Sequence, residues 1–96
     1  MAVKILIKRT IPENRVKDLM PFFKQLRALA TSQSGYISGE TLKRIDRPGQ
    51  YLVISTWETM DAWRKWVNSN QRKEIQGLID SILGQQTEYE IYDYST

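Results

Sequence analysis

The side chains of this sequence that could perform acid–base chemistry are carboxylates and phenols, because the chain contains no histidine and no cysteine. Such groups transfer protons when they lie within hydrogen-bond reach of a bound molecule. The four candidates lie on the second and third predicted strands or at the end of the third: Tyr36, Glu40, Tyr51 and Glu58. Each of the four also suits an ordinary place on a solvated surface or in a dimer contact.

A second group of candidates surrounds a tryptophan on a predicted helix. Trp63, Trp66 and Val67 recur at helical spacing, which places them on one stripe. At the edge of that stripe, the indole of Trp66 would offer a planar aromatic ligand a flat wall and one N–H donor. The alternative is that Trp66 packs in the core, as we expect for Trp57 and Trp63. Three polar residues near a break between helices could orient a ligand, cap a helix or face water: Asn68, Arg72 and Gln76.

Hydrophobic periodicity predicts the elements that position these residues. Apolar side chains alternate along the first strand at Val3, Ile5 and Ile7. Thr59 and Ser69 are suited to cap two later helices, because their hydroxyls can accept a hydrogen bond from a free backbone N–H. The predicted order is strand 3–9, helix 13–33 with a kink at Pro21, strand 36–44, strand 51–57, helices after Thr59 and after Ser69, and strand 87–94.

This order, β-α-β-β-α-β, predicts an α+β ferredoxin-like fold with a four-stranded antiparallel sheet. Proline and glycine at the centre of 47–50 predict a type II turn, so strands two and three form a hairpin. Strands one and three are central, and right-handed crossovers place the helices on one face. Strand 51–57 is apolar on both faces, and Leu6 and Leu42 also require cover on the face without helices. We therefore expect a homodimer whose sheets pack face to face.

Length, charge and composition exclude several functional classes. The 96 residues are enough for a single domain, 1–96. The net charge is +3, but basic and acidic residues are interleaved, whereas nucleic-acid sites concentrate basic residues; no nucleic-acid partner is expected. No apolar run approaches the ~20 residues of a membrane span, and the first residues lack a signal-peptide cleavage site. We expect a cytoplasmic protein with no metal site and no membrane contact.

Four stretches of the chain resemble the antibiotic biosynthesis monooxygenase family: GYISGETL at 35–42, YLVISTW at 51–57, WRKW at 63–66 and TEYEIY at 87–92. The resemblance implies a dimeric α+β barrel with a small pocket between sheet and helices in each subunit. It also implies contact through the sheet faces and the C-terminal strand, where Tyr89, Tyr92 and Tyr94 would be interface or sheet-edge residues. Some members oxygenate polycyclic phenolic or anthrone substrates without metal or flavin, so no cofactor is implied.

A haem-degrading branch of the same family provides a contrast. It carries an asparagine in strand one, a tryptophan after strand three and an iron-binding histidine on the last helix. These positions correspond to about Ile7, Trp66 and Gln76, so this chain keeps only the tryptophan. The resemblance therefore implies that this chain does not degrade haem.

Two functions follow from the resemblance together with the candidate residues. The first is a cofactor-independent monooxygenase acting on a small aromatic or quinone-like molecule. The second is a non-catalytic dimeric protein of the same fold that binds a small ligand or is associated with stress. A buried ionisable group near Trp66 would favour the enzyme, whereas a pocket lined only by apolar side chains would favour the second function.

Overall fold

Residues 2–95, described by a computed structural model, form one four-stranded antiparallel sheet with helices on one face. The elements are β1 (Val3–Thr10), α1 (Val16–Thr31), β2 (Tyr36–Lys43), β3 (Gln50–Trp57), α2 (Met60–Val67), α3 (Asn70–Leu83) and β4 (Glu88–Asp93). The sheet order is β2-β3-β1-β4, so the first and third strands are central. The predicted ferredoxin-like fold is therefore confirmed, and α2 and α3 are the two pieces of its second helical segment.

Strand β1 supplies the centre of the core through strict alternation. Val3, Ile5 and Ile7 are buried beneath the helices. Arg9 continues the same alternation, and only 9% of its surface is exposed. Because every second residue of a strand points to the same face, the Arg9 side chain lies on the helix-facing side with the three aliphatic ones. A cation on the inner face of the sheet is the feature of β1 that the sequence interpretation did not predict.

The first helix is shorter than predicted at both ends. Pro12 has an extended ψ of 140° and is followed by a short 3-10 turn at Glu13–Arg15, so α1 begins only at Val16. The helix ends at Thr31, two residues before the predicted end. Pro21 lies one turn inside α1, which continues through it as a single element. A proline so near the N-terminus removes only one hydrogen bond of the helix.

The predicted caps of the later helices are confirmed. Thr59 Oγ1 accepts a hydrogen bond of 3.1 Å from the backbone N–H of Ala62 at the start of α2. Ser69 Oγ accepts one of 3.3 Å from the backbone N–H of Arg72 at the start of α3. Gly84 ends α3 in the left-handed conformation, with φ of 71°. Ser69 thus separates α3 from α2, and Arg72 in the first turn of α3 is buried.

Two glycines shape the hairpin of β2 and β3. Gly49, with φ of 94°, occupies the third position of the predicted turn. The backbone N–H of Gln50 donates a hydrogen bond of 3.3 Å to the carbonyl of Arg47 across this turn. Gly39 permits a close approach, because a Cβ added there would lie 2.5 Å from the hydroxyl oxygen of Tyr36. The bulge that was an alternative for Gly39 occurs instead between Tyr36 and Ser38.

The sheet face away from the helices carries apolar side chains in register. Leu6 pairs with Ile54 across β1 and β3, and Leu42 pairs with Leu52 across β2 and β3. Leu42 is 46% exposed. These are the residues that the sequence predicts to require cover, and no element among residues 2–95 packs over them.

Candidate functional site

A cavity of about 310 Å³ lies between the inner face of the sheet and the helices. Its volume is at the lower end of the ~300–1,000 Å³ range typical of small-molecule sites. Most of its wall is apolar, and the helix α1 closes one side. Its apolar lining includes Ile7, Ile11, Met20, Phe23, Leu26 and Val53.

Three tryptophans form the aromatic wall of the cavity. The ring of Trp57 stacks on that of Trp66 with 6.4 Å between centroids and 23° between planes. Trp63 packs edge-on against Trp57 at 5.9 Å between centroids, and Tyr36 does so at 5.4 Å. The indole N–H of Trp57 donates to Ser55 Oγ at 3.1 Å. All three indoles are buried, and all three line the cavity. Core packing and cavity lining were alternatives for Trp66, but its side chain does both.

Arg72 brings a positive charge against this aromatic wall. It is 3% exposed, and its guanidinium carbon lies 5.8 Å from the ring of Trp63 and 6.0 Å from that of Trp66. A third ring, Tyr89, lies 5.1 Å away. The distances are within the ~6 Å at which a cation is attracted to an aromatic face. Arg72 is thus a buried ionisable group near Trp66, the feature that would favour an enzyme over a binding protein.

Tyr89 lies on the edge strand β4, but its ring does not face outward as an interface residue. It pairs with Ile7 of β1, which puts it on the helix-facing side, and it packs edge-on against Trp63 at 5.5 Å. The sequence interpretation placed Tyr89 at the interface or sheet edge because the subunits of the related dimers meet at the C-terminal strand, and β4 is indeed an edge strand. Tyr92 and Tyr94 are exposed, at 50% and 57%.

Arg9 of β1 brings a second buried cation to the cavity. Its guanidinium lies 4.9 Å from the ring centroid of Phe23 on α1. Burial lowers the pKa of Arg9 from its usual value to about 10, and the neighbouring positive charge of Arg72 contributes to the decrease. Since a pKa of about 10 is still well above neutral pH, the Arg9 guanidinium is charged under ordinary conditions.

Gln76 joins the two cations. Its Oε1 accepts a hydrogen bond from Arg9 Nη2 at 3.1 Å and one from Arg72 Nη2 at 3.3 Å. Its Nε2 donates to Asp80 Oδ1 at 2.8 Å and to Thr87 Oγ1 at 2.5 Å, and the Thr87 hydroxyl donates to the same Asp80 oxygen at 2.7 Å. Asp80 and Thr87 therefore fix the orientation of the amide, so that its carbonyl oxygen faces the two guanidiniums.

The structure brings some of the predicted site residues together and separates others. Four line the cavity directly: Trp66, Tyr36, Tyr51 and Arg72. Gln76 lies behind it, bonded to both arginines. Glu40 borders the cavity on β2, but it pairs with Ile54, whose side chain is on the face away from the helices. Because directly paired residues share a face, the carboxylate of Glu40 points away from the cavity.

The remaining two candidates lie outside the cavity. Glu58 is exposed after the end of β3, and its backbone N–H donates to the carbonyl of Gly35 at 2.7 Å. Asn68 is exposed and forms the C-cap of α2, the capping role considered for it from the sequence. Arg9 is the residue that sequence reasoning missed. Its position could have revealed it, because Arg9 is two residues after Ile7 and alternate residues of this strand face the helices.

A sequence match assigns the chain to a known family. Residues 2–78 match the family described as Antibiotic biosynthesis monooxygenase. The chain belongs to this family. Among solved structures, a conserved protein from Methanosarcina mazei Go1 is similar over 99% of this chain and 94% of its own, with a TM-score of 0.90 and 21% identity. SnoaB, a cofactor-independent oxygenase from Streptomyces nogalater, covers 99% of this chain and 94% of its own with a TM-score of 0.85 and 16% identity.

A longer relative is also similar to this antibiotic biosynthesis monooxygenase domain. The 42.8 kDa protein in the whiE locus of Streptomyces coelicolor is 20% identical over 69 residues, which is 72% of this chain and 17% of that protein. The chain thus spans less than a fifth of the length of this relative. Identities at this level show that the fold is shared and do not identify a substrate.

The haem-related positions have other roles in this fold. Ile7 is a buried aliphatic residue that lines the cavity, and the amide oxygen of Gln76 accepts hydrogen bonds from Arg9 and Arg72. Among residues 2–95 there is no group of three or more histidine, cysteine, aspartate or glutamate side chains placed to hold a metal ion. The same residues include no helix that is long and apolar enough to cross a membrane.

Proposed function

We propose that this chain is a cofactor-independent monooxygenase acting on a small planar aromatic or quinone-like molecule. The observation that carries the proposal is the combination of a stacked tryptophan wall with two buried guanidiniums in one cavity. The wall suits a flat ring system, since aromatic faces pack in offset or edge-on arrangements. The guanidiniums suit a reaction that develops negative charge on oxygen, because fixed cations stabilise such charge most in a site that excludes water. The shared fold of a cofactor-independent oxygenase supports the same reaction class.

The reaction needs only a substrate whose carbon or phenol can lose a proton. The resulting carbanion or phenolate passes one electron to O₂, and the two radicals combine as a peroxide on the ring. At a CH₂ carbon the peroxide then loses water and leaves a carbonyl. One atom of O₂ enters the product and the other leaves as water, so the substrate supplies all four electrons and no external reductant is required.

The base for the first step is drawn from the two phenols or from the substrate itself. Tyr36 and Tyr51 line the cavity, whereas the side chain of Glu40 is turned to the other face of the sheet. A phenolic substrate bound near Arg9 and Arg72 is more acidic than in water, because an opposite charge favours its ionised form. A substrate that ionises in this way depends less on a base supplied by the protein.

A binding protein without catalysis is the second candidate. It is favoured by one observation: among the described residues that border the cavity, the one carboxylate is that of Glu40, which faces away. Such a protein would bind planar aromatic molecules in the same cavity and would consume no oxygen.

The proposal includes a homodimer formed through the sheet face that the helices leave uncovered. Leu6, Ile54, Leu52 and Leu42 form a continuous apolar stripe across three strands of that face. A second copy of the same face is self-complementary under two-fold symmetry. Tyr92, half exposed on the same side of the C-terminal strand, extends the stripe toward its edge.

Oxygen labelling tests the proposed reaction. The purified protein is mixed with anthrone under ¹⁸O₂, and the product is analysed by mass spectrometry against a protein-free sample. We expect anthraquinone carrying one ¹⁸O atom in the new carbonyl, formed faster with protein than without. A matched control is Arg64→Gln, which removes an exposed arginine paired with Asp61 on the outer side of α2 and should leave the rate unchanged. Equal rates with and without protein for a panel of anthrones and naphthols would reject the monooxygenase and leave the binding protein.

A further inference from the structure

The two buried arginines have more hydrogen-bond donors than the described residues use. A guanidinium has five N–H donors and no acceptor. The side-chain hydrogen bonds of Arg9 and Arg72 both go to one atom, Gln76 Oε1. Arg9 Nε is buried and has no hydrogen-bond partner. Because buried polar groups are almost always paired in native proteins, the unpaired Arg9 Nε indicates an acceptor that comes from outside the chain.

The charge of the two arginines is also unbalanced. Arg9 is 9% exposed and Arg72 is 3% exposed, yet the ion pairs found within residues 2–95 involve other cations. Asp80 acts favourably on the charge of Arg9 from a distance, but its carboxylate accepts hydrogen bonds from Gln76 and Thr87 and from neither guanidinium. A buried charge without a partner is costly, and an anion of suitable geometry offsets that cost.

The position of the arginines connects the cavity with the surface. Arg9 borders the tryptophan-walled cavity and also a larger groove of about 680 Å³ at the end of the sheet. Tyr51 borders both as well. Arg72, which donates to the same Gln76 oxygen as Arg9, lies against Trp63 and Trp66. A molecule in the cavity therefore has an aromatic wall along its rings and a positive end near Arg9.

We infer that the cavity selects a planar aromatic anion over a neutral aromatic molecule of the same shape, with the ionised oxygen at Arg9 and Arg72 and the rings along Trp66. This inference rests on the proposed function for the position of the substrate site, and it adds the charge of the substrate. The acidic group is a carboxylate or an ionised enol, because the planar guanidinium donates two parallel N–H bonds to a pair of such oxygens. The inference concerns binding and holds for an enzyme or a binding protein.

A matched pair of naphthoquinones tests the preference. The anion is 2-hydroxy-1,4-naphthoquinone, a vinylogous acid that is ionised at neutral pH, and the neutral partner is 2-methoxy-1,4-naphthoquinone. An opposite charge close to a site shifts a pKa by ~1–3 units, which by linkage corresponds to a preference of roughly 10- to 1,000-fold. Calorimetric titration should give a dissociation constant at least roughly tenfold smaller for the anion. Equal affinities, tighter binding of the methoxy compound, or binding of neither compound would overturn the inference.

Variants then identify the groups responsible. Arg72→Gln and Arg9→Gln should each reduce the preference for the anion, while Arg64→Gln, on the exposed side of α2, should retain it. A preference that survives both substitutions would also overturn the inference. If a variant does not fold, the wild-type protein decides: the visible absorbance of the bound hydroxynaphthoquinone should show its pKa lowered by at least about one unit relative to free solution. An unchanged or raised pKa would contradict the inference.

The two proposals fail separately. Selective binding of the anion with no oxygen incorporation into anthrone would support this inference and reject the monooxygenase. Oxygen incorporation without any preference for the anion would support the monooxygenase and reject this inference.

Discussion

Replacement of Gln76 by leucine is the sharpest test of the cluster behind the cavity. The side chain is buried on α3 and accepts hydrogen bonds from two buried guanidiniums at 3.1 and 3.3 Å. Leucine has a similar size but cannot accept. Gln76→Leu therefore leaves both cations without their one described side-chain acceptor and also removes the amide donor to Asp80 and Thr87.

The size of the effect follows from these bonds. A hydrogen bond to a charged group contributes ~1.5–3 kcal/mol, and the two lengths favour the lower value, which gives about 3 kcal/mol for the pair. Greater burial of apolar surface by leucine offsets roughly 1 kcal/mol. We expect a loss of about 2 kcal/mol in the free energy of unfolding.

Urea denaturation followed by tryptophan fluorescence measures this loss. With an m-value of ~1–2 kcal/mol/M for a protein of this size, the midpoint should fall by roughly 1–2 M. Both proteins must be compared at the same protomer concentration, because dimerisation contributes to apparent stability. Gln71→Leu changes an exposed glutamine on the same helix and is the matched control. A loss in Gln76→Leu no larger than in Gln71→Leu would refute the role assigned to the glutamine.

Four further predictions follow from the same structure. Trp66→Ala should lower the affinity for naphthoquinones and should cost less stability than the ~3–5 kcal/mol of a fully enclosed tryptophan, because one side of Trp66 already borders a cavity. Chemical denaturation measures the stability of the variant, and a thermal-shift titration measures its affinity. A stability loss at or above that range in the variant, together with a wild type that binds no ligand, would make Trp66 a packing residue only. Haemin with a reductant should give no bilin-like spectrum above a protein-free control, since Ile7 and Gln76 replace the haem-related residues. Light scattering at micromolar concentration should give twice the chain mass; a monomer would refute the sheet-face dimer. Because burial lowers the pKa of Arg9 to about 10, the unfolded chain binds more protons above that pH. The unfolding free energy of the wild type should therefore rise relative to Arg9→Met between about pH 9 and 11, and a flat difference in denaturation experiments would contradict the buried charge.

Local pattern was sufficient for the fold because each element has its own signal. The alternation of Val3, Ile5 and Ile7, the capping hydroxyls of Thr59 and Ser69 and the proline–glycine turn all depend on neighbours within a few residues. The start of α1 was less accurate, since the extended backbone at Pro12 left room for a 3-10 turn before the helix.

The candidate site was only partly predictable, because its charged cluster is built from distant parts of the chain. Arg9 and Gln76 are 67 residues apart in sequence, and their hydrogen bond exists only once β1 lies under α3. The direction of Glu40 depended on the register of β2 with β3, which the bulge after Tyr36 sets. A shift of one residue moves a strand side chain to the other face, so the sequence named Glu40 as a candidate base although its carboxylate faces away.

A crystal structure with 2-hydroxy-1,4-naphthoquinone bound would test the central claim most directly. We expect the two rings in the cavity between α1 and the sheet, against Trp66, with an anionic oxygen within hydrogen-bond distance of a guanidinium nitrogen of Arg9 or Arg72. A ligand bound in the groove at the end of the sheet or on the uncovered sheet face, with the tryptophan-walled cavity unoccupied, would contradict it.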